Sequence, residues 1–167
     1  MAKEHDVTCI DVPGPIRATL SELKGQKCSL KRIGSDGTLR IGFGTLRVRP
    51  IRASHSVEHA EWEIGTYYRS WRVCRGLQLI CGGQDPLDEP SLMQHRLDQV
   101  DFGTFEDLHH LSPFDVRFRF STEVYVDVLG TVSNSDEMVH LFSPNHQVTT
   151  FSIGLGWQQG QSNKPWK

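Results

Sequence analysis

Apolar residues recur along this chain with two periods, and the periods alternate in blocks. Ile16, Leu20 and Leu23 stand at i, i+4 and i+7, the spacing of one helical face. Pro15 suits a first helical turn and Gly25 a C-terminal stop, so a short helix is predicted between them. From Cys28 the period shortens. Cys28, Leu30 and Ile33 suggest a strand, and Gly34-Ser35-Asp36-Gly37 a turn. Leu39, Ile41 and Phe43 alternate with Arg40 and Gly42; Leu46, Val48 and Ile51 alternate with Arg47, Arg49 and Arg52. Both read as half-buried strands. Residues 53–60 are polar and read as a loop. Trp62, Ile64, Tyr67, Tyr68, Trp71 and Val73 make an aromatic strand or strand pair, and Arg75-Gly76 turns into Leu77, Leu79 and Cys81.

The order then returns. Met93, Leu97 and Val100 repeat the helical stripe 77 residues after Ile16, Leu20 and Leu23. At the same offset Leu39, Ile41 and Phe43 become Val116, Phe118 and Phe120. Strands are predicted over 102–111, 116–120, 124–128, 139–142 and 148–153, followed by a Gly- and Gln-rich tail with Trp157 and Trp166. The links are short, so antiparallel pairing is expected. The predicted class is α+β: a largely antiparallel sheet with two short helices on one face, built as a tandem repeat of a helix plus about five strands. The units are 1–83 and 84–167, within one compact domain. The third strand needs a one-residue insertion to align Leu46 with Val124 and Val48 with Val126.

Charge makes the halves unequal. Residues 1–83 carry 13 Lys/Arg against 8 Asp/Glu; residues 84–167 carry 5 against 12. No stretch approaches the ~18 consecutive apolar residues of a membrane span, and the polar start lacks the apolar region of a secretory signal. A cytoplasmic protein with no membrane partner is expected. Cys9, Cys28, Cys74 and Cys81 show no metal or disulfide spacing and read as reduced thiols. A two-residue turn at Arg75-Gly76 would pair Cys74 with Leu77, not with Cys81. The arginines at 40, 47, 49 and 52 read as a solvated strand face. With pI near 6.4 and no interleaved aromatic platform, nucleic acid is not an expected partner.

Candidate chemistry is sparse. His55 and His59 have i,i+4 spacing, but no HExxH carboxylate accompanies them. His109 and His110 lie near Glu106 and Asp107, yet neighbouring residues on a strand face opposite ways. Cys74, between Arg72 and Arg75, is a possible reactive thiol. Gly154-Leu155-Gly156 opens like a dinucleotide loop, but no helix can follow it within the remaining residues. No catalytic residue, metal site or cofactor is expected.

The run Asp115-Val-Arg-Phe-Arg-Phe120, the run Val124-Tyr-Val-Asp-Val128 and the run Val139-His-Leu-Phe-Ser-Pro-Asn-His-Gln-Val148, with Phe151 and Trp157, carry a resemblance. Together they resemble the small bacterial immunity proteins of polymorphic and contact-dependent toxin systems. The resemblance spans about residues 85–166. It implies a cytosolic protein that binds and inhibits a cognate toxin domain. Asp85, Asp88, Glu89, Asp98, Asp101, Glu106 and Asp107 fall close together, and such a patch would suit a basic nuclease toxin. With Trp157 and Trp166 they are the candidate partner-binding residues. Two alternatives stand beside this reading: a small enzyme using His109 or His110 with Glu106 or Asp107, and a self-associating structural or regulatory module.

Overall fold

The computed structural model describes residues 12–52, 55–86, 90–133 and 136–162. The first half runs α1 (Gly14–Leu23), β1 (Cys28–Ile33), β2 (Leu39–Arg52), β3 (His55–Thr66), β4 (Trp71–Arg75) and β5 (Gln78–Gly82). The second runs α2 (Pro90–Asp98), β6 (Phe105–His110), β7 (Val116–Phe120), β8 (Val124–Val128), β9 (Glu137–Phe142), β10 (Gln147–Ser152) and β11 (Gly156–Gln161). The class is α+β, with every strand pair antiparallel.

The strands form two sheets, ordered β1-β2-β3-β9-β10-β11 and β5-β4-β8-β7-β6. Each sheet therefore takes three strands from one half and completes itself with strands of the other. The joins are β3 on β9, with Ile64 opposite Leu141, and β4 on β8, with Val73 opposite Val126. The 77-residue offset relates inward positions to inward positions. Leu39, Ile41 and Phe43 are at most 1% exposed, and Val116, Phe118 and Phe120 at most 2%. These rows face each other across one core, where Phe43 stacks on Phe120 with ring centroids 5.9 Å apart.

The helices do not lie on one face of a single sheet, as the sequence suggested. Each bridges the two sheets at an open side: α1 touches β6 and β11, and α2 touches β1 and β5. Two sheets with apolar inner faces bury each other, so the helices are left to close the edges. Leu23 and Leu97 are completely buried there.

Several strand limits differ from the periodicity. β2 is continuous where two strands were predicted. A bulge between Phe43 and Leu46 carries Gly44 at φ 78°, which shifts the alternation without ending the pairing. The segment read as a loop belongs to β3, which continues its pairing with β2 there, with Ala60 opposite Leu46. Leu46 and Val48, read as the buried side of a half-buried strand, are 42% and 63% exposed. The tail contributes β11, whose register sets Trp157 against Phe151. β6 begins at Phe105, later than predicted. The β4–β5 turn lies one residue on from the expected place: Arg75 pairs with Gln78 and Cys74 with Leu79. Cys28, Cys74 and Cys81 are free thiols; Cys9 lies outside the described residues.

Candidate functional site: a charged sheet face

The outer face of the five-stranded sheet carries a connected group of charged side chains. Alternation sends Val124, Val126 and Val128 inward and leaves Tyr125 and Asp127 pointing out. The registers set Arg72 of β4 and Arg117 of β7 opposite Asp127 on either side. Asp127 is 0% exposed although it lies on an outer face. The two arginines cover it: Arg72 Nε donates at 2.8 Å, Arg117 Nε at 2.6 Å and Arg117 Nη2 at 2.9 Å. Arg117 also lies 3.9 Å over the Tyr125 ring. A carboxylate so buried requires this pairing, because its desolvation is otherwise uncompensated.

The next row runs Leu79, Cys74, Tyr125, Arg119, Asp107. Arg119 reaches Glu106 at 3.4 Å and Asp107 at 3.6 Å, all three about half exposed. A cleft of about 220 Å³ opens beside them, lined among others by Glu106, Arg119, Glu123 and Tyr125. Cys74 is buried in this row, and the guanidinium of Arg72 is engaged by Asp127.

The predicted acids separate into two groups. Glu106 and Asp107 belong to this face. Asp85, Asp98 and Asp101 brace the surroundings of α2 instead. Asp85 accepts from the Gly82 N–H, Asp98 from Gln94 Nε2, and Asp101 from the Gly103 N–H. Asp88, Glu89 and Trp166 lie outside the described residues. Trp157 faces inward and donates from Nε1 to His110 Nε2 at 2.9 Å, which ties β11 to β6 across the two sheets. His109 turns outward, 3.6 Å from Asp107 and 39% exposed. The two histidines are thus on opposite faces and share no site. His59 lies on β3 with its Nδ1 3.4 Å from Arg40 Nη2, a cation where a metal would need to be. No group of three or more possible metal ligands occurs among the described residues, and none of their helices is long and apolar enough to cross a membrane.

The six-stranded sheet has a smaller polar cluster on its own outer face. Arg40, which the 77-residue offset relates to Arg117, grips Glu63 with two hydrogen bonds of 2.7 Å. Nearby, the His140 ring lies across Gly65, where a Cβ would stand 2.2 Å from Nε2. Tyr67 and Phe142 flank that ring, at 4.9 and 4.7 Å between centroids. Burial first, and then the Arg40 charge, push His140 down to about 4. The unfolded chain binds this proton near pH 6.5, well before the folded one does. Stability is therefore expected to fall as pH drops from about 6.5 toward 4, by roughly 3 kcal/mol over the window. Replacing His140 with Phe keeps a ring between Tyr67 and Phe142 and removes the proton. Urea midpoints measured from pH 7 to 5 should slope for the natural chain and slope less for H140F, the remaining slope coming from His110, which burial also pushes down; equal slopes would contradict the assignment.

Asp127, Arg72, Glu63 and His140 were not singled out from sequence. One signal was present: Asp127 is the lone charge in the apolar strand 124–128, with arginines in strands on either side. Its significance depends on which strands pair. Comparison with known protein families, with curated proteins and with solved structures yields no match.

Proposed function

We propose that the chain is a binding protein of the immunity type, which seats a cognate toxin domain on the outer face of its five-stranded sheet and blocks it. The observation that carries this reading is the Arg72–Asp127–Arg117 row on a face that neither helix covers. Its charges are held in fixed positions by one another, so little ordering entropy is lost when a partner arrives. Tyr125, Arg117 and Arg119 are of the residue types that dominate interface hot spots. Glu106 and Asp107 add the carboxylates that a basic partner would meet. The half-exposed Leu79 supplies an apolar element in the same row.

Mixed with the toxin domain encoded beside its own gene, the chain is expected to elute as a 1:1 complex and to suppress toxicity. Asp107→Arg with Arg119→Glu, which inverts exposed charges on this face, should weaken that complex at least about tenfold, or 1.4 kcal/mol, with the melting temperature nearly unchanged. A natural chain that neither binds nor neutralises the domain sinks the reading. If the inverted variant binds the domain as tightly as the natural chain does, the face is wrong.

A further inference from the structure

One end of this face has room and charge for a single long cationic side chain. The β4–β5 and β7–β8 turns meet there: Gly76 N–H donates to the Glu123 carbonyl at 3.3 Å, and the Tyr125 hydroxyl donates to the Gly76 carbonyl at 3.0 Å. Beside this junction lies the 220 Å³ cleft, lined by Glu106 and Glu123 as well as by Arg117 and Arg119. The Tyr125 ring and Phe120 give its lining an apolar part.

The charges around it are unequally engaged. Arg72 and Arg117 are held by Asp127, and Arg119 by Glu106 and Asp107. Three arginines thus face four carboxylates, and Glu123 is the one left over: among the described residues its carboxylate makes no ion pair. Arg75, the nearest further cation on β4, stands opposite the inward-facing Val124 and so belongs to the other side of the sheet. Glu123 also occupies the left-handed region at φ 62°, where glycine or asparagine would fit with less strain.

We propose that the cleft receives an arginine or lysine side chain of the protein partner, its cation between Glu123 and Glu106 and its aliphatic stem along Tyr125. This rests on the binding role above for the partner's identity, but the cleft can be tested without one. Backbone amide shifts of the full chain would be followed while N-acetyl-arginine amide is added, with the uncharged citrulline derivative as control. The arginine probe is expected to move residues 76, 106, 117 and 119–125, and the citrulline probe to leave them in place. Glu123→Gln should weaken the arginine response about threefold, the size of an exposed charge pair. Glu123→Gly should weaken it equally while raising the melting temperature, because the strained backbone is relieved. Equal responses to both probes, no response at those residues, or an unchanged E123Q titration would overturn the inference. If E123Q binds the toxin domain as tightly as the natural chain does, the cleft assignment falls and the neutralising role stands. If the arginine probe docks but the toxin domain does not, the neutralising role falls alone.

Discussion

Phe43→Ala is expected to lower the unfolding free energy by about 3–5 kcal/mol, a large part of the ~5–15 kcal/mol total for a domain of ordinary stability. Phe43 is 0% exposed and is shared between the sheets: its ring is 5.9 Å from those of Phe105 and Phe120, both on the opposite sheet. Removing it loses apolar burial and opens a cavity that two rigid sheets cannot close by sliding together. Denaturant titration followed by tryptophan fluorescence and by far-ultraviolet dichroism should shift to lower urea as one transition, since the strand joins connect both halves. A cost under about 1.5 kcal/mol, or two separated transitions, would contradict a shared core.

The second large effect lies at Asp127. Asp127→Ala leaves Arg72 and Arg117 pressed together without their anion. A cost of about 3 kcal/mol is expected, the low end for breaking a buried pair, because Arg72 is 45% exposed and can turn to water. Replacing all three residues with apolar ones of similar length (Arg72→Met, Asp127→Leu, Arg117→Met) should recover most of that loss, as buried ion triads are often dispensable for stability. On the neutralising role proposed above, the same triple variant loses its binding of the toxin domain. Stability near that of the natural chain with binding absent would separate the role of the triad in recognition from its role in folding. A triple variant that still binds would remove the row from the interface.

How far the sequence revealed this architecture depended on whether a residue had a buried face. Ile41 and Phe118 alternate with arginines because one side of each strand meets the core, and both were legible. So was the helical stripe at Met93, Leu97 and Val100. Val57-Glu58-His59-Ala60 shows no apolar alternation, so that part of β3 read as a loop. Gly44 hid the continuity of β2 for a different reason: a bulge changes the phase of alternation while the backbone ladder continues. The site was harder still. Glu106 and Asp107 were visible as acids, but their engagement with Arg119 follows from the β6–β7 register. Asp127 acquires its partners from β4, 55 residues earlier, and β7, 10 residues earlier. No local pattern encodes a cross-strand row assembled from three separate segments.

The exchange of strands between sheets also sets the order of events during synthesis. When β4 leaves the ribosome, the only neighbour it can pair with is β5; its other neighbour, β8, is more than forty residues downstream. At about 5–20 residues per second, β4 waits on the order of several seconds with one backbone edge unpaired. β3 waits longer for β9. Both joins close loops of high sequence separation, which slows folding and extends exposure of the apolar inner faces. Trp71 and Val73 are among the residues left uncovered in that interval, so a chain stalled after β5 would present an open apolar sheet edge to chaperones and to other nascent chains.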